Sequence, residues 1–245
     1  MDQACAFLPF RVAPAHAREA LLRYWRGLGW FRPGDLARVA KVEALQSIWW
    51  PAWVINATAD VSWTADSDAG AEKADWAPHA GQTRLVLRNC VIPASRGLSR
   101  EECSALTSRY DLGEALGDVP REPAGSQIEQ FDLRRSGARA QILESVQEQA
   151  ERSVAETQVP GSRRRNVHVA VMLSGLETTR YALPAYVLAY RYRRRLFRAV
   201  VHGQEVSQVI ARAPYSWTRI ALAVAAGLLG IGLLAAVAAH FIGGR

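Results

Sequence analysis

The sequence is short of lysine and cysteine, and it has none of the common catalytic motifs. Only two of its 30 basic residues, Lys41 and Lys73, are lysine. Its three cysteines, Cys5, Cys90 and Cys103, are far apart and form no C-x-x-C pair, which argues against a zinc ribbon and a disulfide framework. No phosphate loop, nucleophile elbow or H-E-x-x-H segment occurs. We therefore predict no catalytic residue, no metal ligand and no cofactor.

The remaining composition is that of a folded protein with an excess of positive charge. The 245 residues are 49% apolar and 22% charged, ordinary values for a chain that builds a core. The net charge of +7 favours an anionic partner, either nucleic acid or a lipid surface. An arginine- and alanine-rich composition, as a GC-rich genome produces, would explain the charge without any partner.

The C-terminal region contains the one long apolar run. Ile220–Ala239 is twenty residues without a polar side chain, and as a helix it would extend about 30 Å, the thickness of the bilayer hydrocarbon. Core helices are rarely apolar on every face over this length. Tyr215 and Trp217 precede the run at headgroup depth, and Arg219 marks its boundary. We predict a C-terminal membrane anchor over 214–245, with a single span over 220–239.

The arginines predict the orientation of that span. Only Arg245 follows it, whereas seven arginines precede it closely: Arg191, Arg193, Arg194, Arg195, Arg198, Arg212 and Arg219. The positive-inside rule then keeps residues 1–213 in the cytoplasm and places the protein in the inner membrane. Small residues at i, i+4 spacing within the span would permit a homodimer.

The region before the anchor predicts an α+β fold, in which an antiparallel sheet packs with helices. Pro14 begins an amphipathic helix, Ser99 and Glu102 form a capping box, and a longer helix covers about 136–157. Asp35 is a predicted N-cap of a short helix. Alternating apolar residues predict strands over 42–63 and 82–95, and three or four antiparallel strands over 166–212. The turns of the last group are predicted near 177–178, 193–195 and 202–203.

A short phrase occurs twice. Trp50-Pro51-Ala52-Trp53-Val54 and Leu183-Pro184-Ala185-Tyr186-Val187 share an apolar-Pro-Ala-aromatic-Val pattern. Because proline lacks an N–H donor, we predict that each phrase lies at the entry to a long strand. Two organisations are compatible with this pattern: one cytoplasmic domain over 1–213, or two related halves over 1–98 and 99–213.

The segment YRYRRRLFR is the sharpest charge feature. In a hairpin its arginines and tyrosines alternate between faces, about twenty residues before the span. The candidate anionic-surface contacts are Arg191, Arg193, Arg194, Arg195 and Arg198. Proximity to the anchor favours lipid headgroups, nucleic acid is the competing ligand, and a solvated turn is the alternative to both. The segment 162–166 would extend the same patch.

Several segments occur in an order that resembles a known family. They are FLPFRV, GWFRPGDL, WWPAWVINATADVSW, VIPASRGL and LPAYVLAYRYRRRLFRAVVHGQEVSQVIARAPYSW. Together they resemble an uncharacterised group of bacterial zinc-ribbon membrane proteins, often labelled helicase-like or primosomal-protein-like. The chain departs from that group because it has no four-cysteine ribbon, so the metal and the nucleic-acid role do not carry over. In the last hairpin the family usually has Asn-Gly-Gln-Thr-Gly, and this chain has His202-Gly203-Gln204-Glu205-Val206 instead. Gly203 is kept, and we predict a positive φ there.

These features favour a binding protein over an enzyme. The leading hypothesis is a single-span membrane-anchored adaptor or assembly module, with the bilayer and a protein as its partners. A membrane-tethered protein that binds nucleic acid or anionic lipid is the alternative, with nucleic acid the less expected ligand. An enzyme whose site is invisible in the sequence is the second alternative.

Overall fold

The computed structural model describes residues 3–70, 75–121 and 123–243, with side chains as far as Gly232. The helices are α1 (Pro14–Arg26), α2 (Leu36–Val39), α3 (Arg100–Thr107), α4 (Arg135–Ser153) and α5 (Trp217–Gly243). The strands are β1 (Ala6–Phe7), β2 (Lys41–Ser67), β3 (Ala77–Pro93), β4 (Gln127–Ile128), β5 (Arg164–Tyr192), β6 (Arg195–His202) and β7 (Val209–Ala211). The predicted α+β class is confirmed. Within the described part of the chain, no helix is long and apolar enough to cross a membrane, so the span over 220–239 stays a prediction.

One largely antiparallel sheet connects the strands in the order β3-β2-β5-β6-β7. β2 and β3 pair antiparallel from Ala52↔Pro93 to Ser67↔Ala77, with a bulge between Ile55 and Ala57. The two short strands join the sheet in parallel, β1 beside β5 and β4 beside β2.

The chain divides into two compact units, and both long strands contribute residues to each. Unit 1 comprises Met1–Arg11, Ser47–Ala185 and Gly203–Glu205. Unit 2 comprises Val12–Gln46, Tyr186–His202 and Val206–Arg245. Both units therefore draw residues from each predicted half, 1–98 and 99–213, and the duplication stays a prediction.

The core of unit 1 lies between α4 and the sheet. α4 buries Ala138, Ile142 and Val146 at i, i+4 spacing, the period that aligns side chains along one helix face. They pack against Trp53, Ile55, Ala59 and Ile92. Leu143 lies beside that stripe and is 38% exposed. α4 continues into a π-helical turn, Val154–Gln158, so the helix predicted over about 136–157 is confirmed.

Unit 2 is built around the end of β5. α1 begins at Pro14 as predicted and buries Leu21 and Trp25. The Trp25 ring lies 4.8 Å from the ring of Tyr190, centroid to centroid. The hydroxyl of Tyr190 donates to the Arg212 carbonyl at 2.5 Å. Burial raises the pKa of Tyr190 to about 12, so its hydroxyl stays protonated and continues to donate at neutral pH.

The strand boundaries correct two predictions. β5 is one strand of 29 residues, and the turn predicted near 177–178 is absent from it, because a positive φ at Gly175 bends the strand without ending it. Pro51 and Pro184 lie inside β2 and β5 rather than at their entries. Both prolines lie where the neighbouring strand changes. In β2, residues 48–49 pair with β4, whereas Ala52, just after Pro51, pairs with β3. In β5, residues 181–182, just before Pro184, pair with β1. A missing N–H is tolerated where the neighbour changes.

Three further local predictions have different outcomes. The positive φ predicted at Gly203 is wrong; the hydrogen of this residue is required because a Cβ would lie 2.5 Å from the Pro184 carbonyl oxygen. Asp35 is at the N-cap position of α2 as predicted, but its side chain makes no capping hydrogen bond, since its carboxylate accepts from Tyr192 and Arg193. The Ser99–Glu102 capping box of α3 is present in both directions.

Candidate functional site

Positive charge is concentrated in unit 2. Its three segments carry fourteen of the chain's 30 Lys and Arg residues but only three of its 23 Asp and Glu residues, Glu19, Asp35 and Glu43. Unit 1 holds the other sixteen basic and twenty acidic residues. The net formal charges are therefore +11 for unit 2 and −4 for unit 1, which identifies unit 2 as the part suited to an anionic partner.

Over the ranges that the structure describes, five of the fifteen arginines in unit 1 form ion pairs with carboxylates of the same unit. Its ion pairs join Arg11 to Asp111 and Glu114, Arg84 to Asp60, Arg96 to Asp132, Arg163 to Asp68, and Arg165 to Asp66. Arg163 and Arg165 also lie over the ring of Trp76. Ser162, Arg163, Arg165 and Asn166 thus bond to carboxylates of unit 1, and the extension of the arginine patch by 162–166 stays a prediction.

The predicted arginine hairpin joins β5 to β6 through Arg193 and Arg194, whose φ values are 45° and 67°. Two consecutive left-handed residues match a type I′ turn, in which asparagine and glycine are the preferred residues. The tyrosines alternate inward and the arginines outward, as predicted. A left-handed backbone is conformationally costly for arginine, so arginine at both turn positions indicates that the two side chains have a role of their own.

The five candidate arginines separate into different environments. Arg191 donates to Glu43, with 3.0 Å between Nη2 and Oε2. Arg193 donates to Asp35 at 2.8 Å. Arg194 and Arg195 are exposed and make no hydrogen bond or ion pair with the residues that the structure describes. Arg198 is half-buried in β6.

Asp35 organises the base of the hairpin. Its carboxylate accepts from the Tyr192 hydroxyl at 2.7 Å and from Arg193. The Tyr192 hydrogen bond, followed by that of Arg193, holds the pKa of Asp35 below its usual value. Burial, assisted by Asp35, raises the pKa of Tyr192. Asp35 is thus an ionised acceptor, and each of its two carboxylate oxygens already accepts a hydrogen bond.

The predicted boundary residues belong to a larger group that we call the aromatic–arginine cluster: Trp30, Phe31, Arg32, Tyr215, Trp217 and Arg219. Tyr215 is 59% and Trp217 78% exposed, and Trp30 and Phe31 are each about half exposed. Arg219 Nη1 donates to the Trp30 and Arg32 carbonyls at 3.0 and 3.2 Å. Arg32 lies 3.7 Å above the Tyr215 ring.

The sequence prediction missed the Trp30–Phe31 side of this cluster. Its signal was the segment GWFRPG, in which two aromatic residues lie between turn-forming glycines and a proline and therefore have little chance of reaching a core. The Ser216 N–H donates to the Phe31 carbonyl at 2.9 Å, which fixes this loop at the start of α5.

Beyond the cluster, the first turns of α5 expose large apolar side chains. Leu222, Val224, Leu228, Leu229 and Ile231 are each more than half exposed. They are spread over several faces of the helix, so one packing partner on one side would not cover them all.

A cleft of about 720 Å³ lies beside the cluster in unit 2. Its charged lining is Asp35, Arg38, Arg193 and Arg219, and its other walls are formed by Pro33, Gly34, Tyr192 and 215–218. Of these, Arg193 was predicted as an anionic-surface contact and Arg219 as a membrane-boundary residue, whereas Arg38 was not predicted from the sequence. Three arginines around one engaged carboxylate leave the cleft positively charged.

The described residues form no group of three or more His, Cys, Asp and Glu side chains that could hold a metal ion. The three cysteines are free thiols; Cys103 is buried, Cys5 is exposed, and partial burial raises the pKa of Cys90. Tyr110, Trp50 and Pro184 form a buried hydrogen-bond chain in unit 1, and burial raises the pKa of Tyr110 far above its usual value. A tyrosine held in its neutral form this way serves as a structural donor.

The fold and the cluster together define an α+β protein with a positively charged, aromatic-rimmed surface at the base of its last helix. No family model matches the chain, and neither the curated proteins nor the solved structures contain a match. The resemblance to the zinc-ribbon membrane proteins therefore stays a prediction.

Proposed function

We propose that the protein is a single-span, membrane-anchored adaptor. In this proposal α5 inserts in the inner membrane, unit 2 rests on cytoplasmic lipid headgroups, and unit 1 is available to a protein partner. The observation that carries the proposal is the aromatic–arginine cluster at the start of α5. Tryptophan, tyrosine and arginine are the side chains that favour the membrane–water interface.

Three observations support the anchoring. The cluster surrounds the first turn of α5, and the exposed leucines follow directly after it. The run 220–239 contains no polar side chain. The formal charge of +11 lies in the unit that contains α5, where each arginine near an anionic surface adds about 1 kcal/mol of attraction.

The adaptor role is supported by the outer face of the sheet in unit 1. α4 covers one face of β2, β3 and β5, whereas the other face carries small and polar residues together with the Asp60–Arg84 ion pair. A shallow groove of about 570 Å³ lies there, lined by Ser62, Thr64, Ala80, Gln82, His168 and Ala170. Val86 and Met172, 61% and 66% exposed, add apolar surface to the same face.

The anchor is tested with arginines placed near the middle of the proposed span. Leu228→Arg/Leu229→Arg adds two charges, each costing about 3 kcal/mol at the bilayer centre. We expect wild-type protein in the carbonate-washed membrane pellet and this variant in the supernatant. The matched control, Val86→Arg/Met172→Arg, adds the same charges to unit 1 and should stay in the pellet. Release of the wild-type protein by carbonate would refute the anchor.

The adaptor role is tested by cross-linking the tagged full-length protein in membranes, followed by quantitative mass spectrometry. A partner captured by the wild type and lost specifically from Val86→Arg/Met172→Arg would support the sheet face as the docking surface. The same protein set from both forms would contradict it. Salt-sensitive recovery of nucleic acid in place of a protein would favour the tether hypothesis instead.

A further inference from the structure

We infer that the cleft of unit 2 binds the phosphate group of an anionic phospholipid. This inference rests on the proposed function, because it names the ligand of the surface that would face the membrane. The cleft adjoins the proposed anchor directly: Tyr215, Trp217 and Arg219 line it, and α5 begins at Trp217. Aromatic side chains of this kind lie at headgroup depth, which is where a lipid phosphate lies.

The one carboxylate among the described residues that line the cleft, that of Asp35, does not pair with Arg38, so the Arg38 guanidinium is available to a ligand. This carboxylate already accepts from Tyr192 and Arg193. Arg38 is exposed, and its guanidinium makes no hydrogen bond or ion pair with any residue in the described part of the chain. A guanidinium with free N–H donors matches the geometry of a phosphate oxygen pair.

Arg219 supplies a second donor group held in place. Its Nη1 donates to two backbone carbonyls, those of Trp30 and Arg32, which leaves Nη2 turned toward Gly34. A Cβ at Gly34 would lie 2.7 Å from Arg219 Nη2. Any larger residue at Gly34 must therefore displace this guanidinium and place a side chain at the lining of the cleft, without changing the net charge.

Gly34 thus allows the cleft to be separated from general electrostatic attraction. Gly34→Leu blocks it at constant charge, and Arg38→Gln removes its unpaired guanidinium. Two controls match them. Gly117→Leu adds the same side chain to open space in unit 1. Arg18→Gln removes one charge from an exposed position of α1 in unit 2, outside the cleft.

The experiment titrates full-length protein in neutral detergent with dihexanoyl-phosphatidylglycerol and measures Kd by calorimetry. Dihexanoyl-phosphatidylcholine, inorganic phosphate and a single-stranded 20-mer are the comparison ligands. We expect phosphatidylglycerol to bind most tightly. Arg38→Gln should weaken it roughly fivefold, the factor expected for one arginine near an anionic headgroup, and Gly34→Leu by at least as much. Both controls should bind as the wild type does.

Three results would overturn the inference. Equal Kd values for Arg38→Gln and Arg18→Gln would show that the cleft is not the site. Inorganic phosphate binding as tightly as phosphatidylglycerol would replace the lipid by a free anion. If Arg38→Gln weakened binding of the 20-mer but not of phosphatidylglycerol, the ligand of the cleft would be nucleic acid. Because detergent removes the bilayer, none of these results affects the carbonate test of the anchor, so the two proposals can fail separately.

Discussion

Unit 1 buries three of its tryptophans and pairs exposed arginines with carboxylates, whereas unit 2 leaves two tryptophans exposed and three arginine side chains without a partner in the part of the chain that the structure describes. In unit 1 Trp49, Trp50 and Trp53 are at most 2% exposed. Five of its arginines are paired with carboxylates. In unit 2 Trp30 and Trp217 are more than half exposed, and Arg38, Arg194 and Arg195 have no partner among the described residues.

This difference teaches that residue type alone does not indicate role. Two of the buried tryptophans of unit 1 donate their indole N–H to backbone carbonyls, Trp49 to that of Leu8 and Trp53 to that of Leu133, whereas the buried Trp63 N–H has no partner within the described ranges. A buried polar atom without a partner would destabilise the unit. The exposed aromatic and arginine side chains of unit 2 need no partner within the protein, because water solvates them. In the proposed function, lipid headgroups would be their partners.

The largest expected effect comes from substituting a tryptophan in each unit. Trp53→Ala removes a ring that packs 5.1 Å from Phe131, and we expect a loss of about 3–5 kcal/mol in the free energy of unfolding. Trp217→Ala should change that free energy by less than about 0.5 kcal/mol while weakening flotation with anionic vesicles. Urea denaturation and flotation measure the two effects. Similar stability losses in both variants would contradict the difference between the buried tryptophans of unit 1 and the exposed tryptophans of unit 2.

Removing one tyrosine hydroxyl from each unit should give the next largest difference in the free energy of unfolding. Tyr110 accepts from Trp50 Nε1 at 3.0 Å and donates to the Pro184 carbonyl at 2.8 Å. Tyr110→Phe removes the acceptor of the buried Trp50 N–H, whereas the Pro184 carbonyl still accepts from the Gly203 N–H, and we expect a loss of about 1–3 kcal/mol in the free energy of unfolding. Tyr215→Phe, in the exposed cluster, should be neutral to within about 0.5 kcal/mol. Thermal unfolding of the two variants tests this, and a neutral Tyr110→Phe would contradict it.

The hairpin of unit 2 should become more stable when an arginine is removed. Arg194 has a φ of 67°, so Arg194→Gly relieves a left-handed backbone and should stabilise the protein by about 1 kcal/mol. The neighbouring Arg195→Gly lies in β6 and should destabilise it by about 0.5–1 kcal/mol. Both variants lose one charge and should float less well with anionic vesicles. Stability changes of the same sign would refute the strain argument.

The smallest effect concerns pH and the carboxylates of unit 1. Hydrogen bonds from the Ser162 side chain, then from the Arg163 backbone, hold the pKa of Asp68 well below its usual value. A lowered folded-state pKa contributes stability above the unfolded pKa near 3.9, and this contribution is lost as pH falls toward the folded value. The stability difference between wild type and Asp68→Asn should therefore be constant from pH 5 to 8 and shrink below about pH 4. Urea midpoints across this range measure it, and a difference that persists unchanged at pH 2.5 would contradict it.

Much of the local structure could be predicted because it depends on neighbours in sequence. The capping box at Ser99, the start of α1 at Pro14 and the turn at Arg193–Arg194 each need only a few adjacent residues. The continuity of β5 could not be predicted, since a glycine at 175 that bends a strand resembles one that ends it. The positions of Pro51 and Pro184 depended on which strands lie beside them.

The candidate site was predicted in part. Tyr215, Trp217 and Arg219 could be selected because they adjoin a long apolar run, whereas Trp30, Phe31 and Arg38 are nearly two hundred residues away in sequence. Arg191 and Arg193 looked free, yet their acceptors Glu43 and Asp35 are 148 and 158 residues distant. Such pairs form only once the sheet has brought those segments together.

By itself the sequence determined the secondary structure class, the apolar composition of the last helix and an overall charge of +7. Local patterns are sufficient for these, since periodicity, capping and composition act over a few residues. Only the tertiary structure decided where the charge lies. Unit 2 is assembled from three separate segments, and their folding together concentrates +11 beside α5 while leaving −4 in unit 1.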